Sequence, residues 1–161
     1  MIDMKVSTID ASSMSSRQIR KALSEIRNEC NDTALILIGH GSESGTEFMN
    51  LSSTQILECN IRPAILWFFA CNCGKFLVRD IAAKGITTVG HICNVIIDRE
   101  DTSAIEAIEE TLANTDSNTS HHQSIESTRT KWFILASNHF INKKFFSAAI
   151  TNQLRLSMRY Y

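Results

Sequence analysis

The chain has 161 residues, is 43% hydrophobic and 20% charged, and carries a net charge of −1. That length and balance suit one domain built around a single core and argue against a disordered chain. The near-neutral charge leaves no electrostatic footprint for nucleic acid or an anionic membrane, and no stretch approaches the roughly 18 consecutive apolar residues of a membrane span.

The opening residues, MIDMKVSTID, lack the basic flank and apolar run of a signal peptide, so a cytoplasmic, reducing location is expected. The five cysteines (Cys30, Cys59, Cys71, Cys73, Cys93) are an odd number, and no disulfide framework is expected. MKVSTI reads as a short strand. SSRQIRKALSEIRNE reads as a helix, with Ile19, Leu23 and Ile26 on one face and Ser13, Ser15 or Ser16 as cap. TALILIG, 33–39, is a continuous apolar run closed by glycine, the pattern of a strand covered on both faces. A polar loop, HGSESGTE, follows, then a short extended piece and a capped helical turn in FMNLSSTQILECN.

Pro63 opens a second apolar strand, 64–71. After Gly74, KFLVRDIAAKG reads as a helix whose apolar side holds Phe76, Leu77, Ile81 and Ala82, with Gly85 as its stop. ITTVGHICNVII, 86–97, is β-branched and strand-like. TSAIEAIEETLAN is an amphipathic helix with Ile105, Ile108 and Leu112 on one stripe. Residues 113–130 are almost devoid of apolar side chains and read as a surface loop. KWFILAS, 131–137, reads as a further strand, and NKKFFSAAITNQLRLSMRYY as a closing helix bearing Lys143, Lys144, Arg155 and Arg159 without an acid. Strands alternating with helices predict an α/β domain spanning 1–161, with a mainly parallel sheet and helices on both faces.

In such sheets, chemistry gathers at the carboxyl ends of the strands. Just past the two most apolar strands stand His40-Gly41 and Cys71-Asn72-Cys73-Gly74. A free thiol is only a few per cent ionised at neutral pH, and a neighbouring imidazole raises its thiolate fraction and later protonates a leaving amine. The amides of Gly41 and Cys71 are placed to form an oxyanion hole. The pattern points to acyl transfer by cysteine. Rival readings are weaker. A lone cysteine at a strand end is more often a small buried hydrophobe. Cys71-x-Cys73 and His91-x-Cys93 have one intervening residue where structural zinc pairs usually have two to four. His121-His122 reads as a solvated pair. GHGSESG lacks the Gly-Lys-Ser/Thr ending of a phosphate loop and is not a Gly-x-Ser-x-Gly elbow. No cofactor and no metal are expected.

A strand ending in His-Gly, then Ala70-Cys71-Asn72-Cys73-Gly74 at the end of the next strand, resembles the caspase-like cysteine peptidases. Two residues between cysteine and glycine are closer to the legumain, gingipain, separase and CHAT branches than to caspases. GKFLVRDIAAKGITTVGHICNVIID looks most like a CHAT domain, and MNLSSTQI falls where that family carries a small hairpin and helix. The His-to-Cys separation is 31 residues, against roughly 50 in caspases. The resemblance covers about residues 33–100. It implies a three-layer caspase-like fold and peptide hydrolysis with His40 as base, Cys71 as nucleophile and the Gly41 and Cys71 amides as oxyanion hole. Asp98 or Asp101 is then the acid that selects a basic substrate residue. It also implies a protein or peptide substrate and a separate regulatory or sensor partner, in the manner of bacterial defence effectors. The alternative is a catalytically inactive interaction module on the same fold, using the cationic last helix and the polar loop as partner surfaces.

Overall fold

The computed structural model describes residues 4–26, 32–96, 100–116 and 118–161. In chain order the elements are β1 (Lys5–Asp10), α1 (Ser16–Glu25), β2 (Thr33–Ile38), β3 (Glu47–Phe48), β4 (Leu51–Ser52), α2 (Ser53–Leu57), β5 (Ile65–Phe69), α3 (Leu77–Ala82), β6 (Thr87–His91), α4 (Ser103–Ala113), α5 (His121–Ile141), α6 (Phe145–Ser157) and β7 (Met158–Tyr160). The larger sheet has the order β1-β2-β5-β6-β7, parallel throughout except for β7, and β3-β4 form a separate hairpin.

The four parallel strands lie side by side in the order in which the chain makes them. Right-handed crossovers that always step the same way leave their connections on one face. The packing agrees. Ile19 and Leu23 of α1, Ile56 of α2 and Leu77, Val78 and Ile81 of α3 cover Leu35, Leu37, Leu66 and Phe68. The three helices that follow β6 cover the opposite face, where Ile108, Leu112, Ile125, Trp132, Ile150 and Leu154 meet Ala34, Ile36, Ile65, Trp67 and Phe69. Every residue of β2 and β5 is therefore buried, as their unbroken apolar runs require. The expected mainly parallel α/β sheet between helical layers is present.

Three helices begin with the same device. Ser15-x-x-Gln18, Ser52-x-x-Gln55 and Ser120-x-x-Gln123 each form a reciprocal capping box, an arrangement that stabilises a helix start by about 1 kcal/mol. The third corrects the expected loop over 113–130, because Ser120 starts a helix of 21 residues. The expected strand at 131–137 is also overturned. Ser124 is buried, and so are Ile125, Thr128, Trp132, Ala136 and His139. The three- and four-residue spacing from Ile125 to His139 is helical, and Phe133 and Ile134 are left outside. The closing helix stops at Ser157, and Met158–Tyr160 turns back along β6 as an antiparallel edge strand. Strand β6 is shorter than the 86–97 expected, since the chain leaves the sheet after His91. Phe76 precedes α3 and is exposed instead of joining its apolar side.

His91 ends β6 inside the α4–α6 layer, edge-on to Phe69 and tilted against Trp132. Its Nδ1 lies 3.0 Å from the Ser157 hydroxyl, and its Nε2 is buried without a partner. Complete burial pushes its pKa down to about 3. The unfolded chain binds this proton near pH 6.5 and the folded chain does not, so stability falls as pH drops from about 6.5 towards 3, by at most ~1.4 kcal/mol per pH unit from this group. Urea unfolding of wild type and His91→Phe at intervals from pH 6.5 to 4 should give a shallower pH slope for the variant.

Candidate active site

Parallel pairing sets Ile38 opposite Phe69, so two residues further on His40 stands in line with Cys71. Alternation along both strands carries the two side chains to the same side. Ile36, Ile38, Trp67 and Phe69 face the α4–α6 layer, and Leu37 and Phe68 face α1–α3. Contacts beyond the strands keep that pattern. His40 lines a groove with Thr102 and Ile105 of α4. Cys71 Sγ accepts the Val95 N–H at 3.2 Å and donates to the Val95 carbonyl at 3.6 Å. Val95 packs with the α4–α6 cluster and lines the same groove as His40.

The loops behind these residues are locked together. A Cβ on Gly41 would lie 1.8 Å from the Cys71 carbonyl oxygen and 2.9 Å from Cys73 Sγ. Gly41 bridges to Phe48 of the hairpin, whose turn residues Met49 and Asn50 both have positive φ, 49° and 61°. That is the left-handed pair a two-residue hairpin demands. Met49 N–H donates to the His40 carbonyl at 2.7 Å, and the His40 N–H reaches Met49 Sδ at 3.1 Å. Gly45, at φ 75°, offers its carbonyl to the amides of Phe76 and Leu77 at the start of α3. The glycine-rich loop thus caps a helix with its own backbone, occupying donors that a phosphate would need.

On the cysteine side, Asn72 takes φ 57°. Its N–H donates to the Cys93 carbonyl and that of Gly74 to the His91 carbonyl. Gly74 lies so close to the His91 and Gly90 backbone that a Cβ would approach it at 2.9–3.0 Å. The neighbouring thiol, Cys73, is sealed on the opposite, α1–α3 side of the sheet and donates to the Glu47 carbonyl. Burial pushes its pKa up to about 12, with the adjacent Cys71 adding to the effect. Of the two thiols in this turn, only Cys71 is accessible. The backbone N–H groups of Gly41 and Cys71 have no backbone acceptor among the described residues. The His40 imidazole is exposed and makes no hydrogen bond to Cys71 or to any other described residue.

The groove beside His40 measures about 850 Å³ and is bounded by Asp10 at the end of β1 and Ser12 and Ser13 beyond it, by Ile38 and Gly39, and by one side of α4. Strand order never reverses across the parallel strands, so there is no switch-point crevice of the doubly wound kind. The start of α4, set across the ends of β1 and β2, makes the opening instead. Glu106 and Glu109 project from α4 into this groove, held by Thr102 and Thr8 hydroxyls at 2.6 Å each. The sequence reading missed these two acids and Asp10. Thr102, Glu106 and Glu109 form the polar stripe of α4, which is visible in the sequence, but only the packing of α4 against β1 shows what that stripe faces.

Asp98 lies outside the described residues. Asp101 does not line the groove. It accepts from the amide and hydroxyl of Ser103 and pairs with His139 Nε2 at 3.3 Å. The Ser103 hydroxyl holds its carboxyl below the usual carboxylate range, with the Ser103 amide, His139 and Lys144 contributing and partial burial opposing. The cavity it borders, shared with Phe69, Ile96 and Ile150, is about 20 Å³, room for about one water and none for a lysine or arginine side chain. Asp101 therefore ties the start of α4 to α5 and lies outside the groove beside His40. His91 and Cys93 part company after β6, the first in the core and the second near Gln153 of α6. Among the described residues no group of three His, Cys, Asp or Glu side chains is arranged to hold a metal ion. His121 lies near the Thr87 hydroxyl at 3.4 Å, and His122 tilts against Tyr160.

No protein-family model matches the sequence, and no curated protein or solved structure matches it. No helix among the described residues is long and apolar enough to cross a membrane.

The two loops allow no side chain between them at residue 41. Gly41→Ala should lower stability by at least about 4 kcal/mol, because its Cβ meets backbone that has nowhere to move. Gly85→Ala should cost only about 1 kcal/mol, since Gly85 has a positive φ but open space around it. Denaturant melts of the two variants make the comparison.

Proposed function

We propose that this chain is a cysteine endopeptidase of the caspase-like, CHAT-type class, with His40 as base and Cys71 as nucleophile. One observation carries the reading: His40 and Cys71 each lie two residues past the paired positions Ile38 and Phe69, at the carboxyl ends of adjacent buried strands, and Val95, which is bonded to Cys71 Sγ, lines the groove beside His40. The imidazole takes the proton from Cys71 Sγ, and the thiolate attacks the scissile carbonyl carbon. The amides of Gly41 and Cys71 receive the oxyanion. The imidazolium then returns the proton to the leaving amine, and water, deprotonated by His40, hydrolyses the thioester. Asp10, Glu106 and Glu109 along the groove suit a protein or peptide substrate with basic residues.

Cys71 Sγ lies 3.6 Å from the Val95 carbonyl oxygen, within donor reach, and on this reading that contact opens before His40 takes the proton. This fits an effector switched on by a regulatory or sensor protein in a cytoplasmic bacterial defence or signalling system. The same contact favours the second reading, an inactive interaction module in which Cys71 is a structural tie to the 92–96 segment.

A peptidyl acyloxymethyl ketone with arginine next to the reactive group separates the two. The enzyme reading expects mass-spectrometric labelling of Cys71 ahead of Cys93 and Cys59. His40→Ala should slow that labelling at least ~100-fold, and Cys71→Ala should abolish it. Cys73→Ala should leave it largely intact, because that thiol is buried and protonated on the far side of the sheet. Equal labelling of Cys71 and Cys93, or a His40→Ala rate matching wild type, refutes the dyad.

A further inference from the structure

Helices α5 and α6 form an antiparallel hairpin whose outer side is apolar. Phe140, Ile141, Phe145 and Phe146 at its tip are 57–74% exposed, and Phe133 two turns away is 55% exposed. With Ala136, Ser137, Ala148 and Ala149 between them, Phe133, Phe140 and Phe145 line a shallow, open groove of about 500 Å³. Residues 133–141 of α5 run beside it, roughly 12 Å at 1.5 Å per residue, which is the span of two turns of a docked helix.

From residue 127 onward, the two helices that form this groove carry charge of one sign. Residues 127–161 contain six Lys and Arg and no Asp or Glu, although the chain as a whole is nearly neutral. Lys143 and Lys144 stand at the hairpin tip. At the other end the Arg155 guanidinium lies 5.4 Å from the Phe133 ring centroid, held there by Asn152 Oδ1 at 2.9 and 3.1 Å. None of these three cations forms a salt bridge to an acid among the described residues. The groove is thus an apolar trough with Lys143 at one end and Arg155 at the other, neither ion-paired with an acid among the described residues, while Lys144 lies near enough to Asp101 to help hold its carboxylate charged.

We infer that the α5–α6 groove is a docking site for an amphipathic helix of a protein partner, with apolar residues at i, i+3, i+4 and i+7 and acidic residues flanking them. Helix-in-groove recognition uses that spacing, and the cations select the flanking charge and speed encounter. A second copy of the chain is disfavoured as occupant, because a two-fold contact sets this patch against itself and opposes like charges. An anionic bilayer also has the right charge and is the rival that the experiment below separates. The inference does not rest on the peptidase reading, and its failure leaves that reading untouched.

The test is selection of helical 16-residue peptides, displayed with four fixed leucines on one face and random flanks, against the full chain. Peptides rich in Asp and Glu should be enriched. A synthetic representative should lose at least tenfold in affinity, by fluorescence anisotropy, against Ala149→Trp, which fills the groove from an exposed position. A similar loss is expected with Lys143→Glu/Lys144→Glu and on raising salt from 0.05 to 0.5 M. Circular dichroism shows that each variant is folded, and the charge variant keeps the test intact if the tryptophan disturbs α6. Enrichment no greater than against Ala149→Trp, or without acidic bias, overturns the inference. So does a stable dimer in sedimentation that the charge reversal strengthens, or binding to phosphatidylserine vesicles that Ala149→Trp leaves unchanged while peptides do not bind.

Discussion

The close approach of Gly41 to the Cys71 carbonyl is the constraint on which the site depends. Adjacent parallel strands deliver their loops to one sheet edge, but strands alone do not decide how near those loops come. Here the missing side chain at residue 41 lets one backbone lie directly on another. The hairpin behind Gly41, the cap that Gly45 gives α3 and the ties from Asn72 and Gly74 to the segment after β6 all hold that contact in place. A residue in a loop normally has a choice of conformations, and these have almost none. The main chain at this edge is therefore fixed by backbone contacts rather than by side chains.

The two thiols of the Cys71-Asn72-Cys73 turn show how strongly position governs chemistry. They are two residues apart in the chain but on opposite sides of the sheet. Cys73 is desolvated among Leu and Phe side chains and stays protonated. Cys71 is half-exposed and bonded through its sulfur to one residue, Val95, which also borders the groove beside His40. The segment after β6 is therefore part of the site, through the Val95 main chain at Cys71 and the Asn94 side chain beside Asn72.

Helix α4 joins the two ends of the molecule. Its polar stripe forms a wall of the groove beside His40, and its first residues are tied through Asp101 to His139 of α5. His139 is next in sequence to Phe140, which borders the trough on the other side of the same helix hairpin. A continuous path of packed and hydrogen-bonded residues thus connects the two concavities.

Much of this was legible in the sequence, for a physical reason. Burial on both faces writes itself as an unbroken apolar run, so β2 and β5 were plain, and with them the placing of His40 and Cys71 at their ends. The α/β class followed from the alternation of strand and helix. The Ser120-x-x-Gln123 box and the three- and four-residue spacing from Ile125 to His139 also marked α5, but a polar first half and an aromatic second half obscured its helical period. What the sequence did not contain was the side of each surface that meets another. Cys71 rather than Cys73 as the accessible thiol, Asp101 as an anchor, acids of α4 facing β1, and the apolar trough between α5 and α6 all arise from contacts between residues far apart in the chain. Local patterns record which side of a segment avoids water. Only the packed structure decides what lies against it.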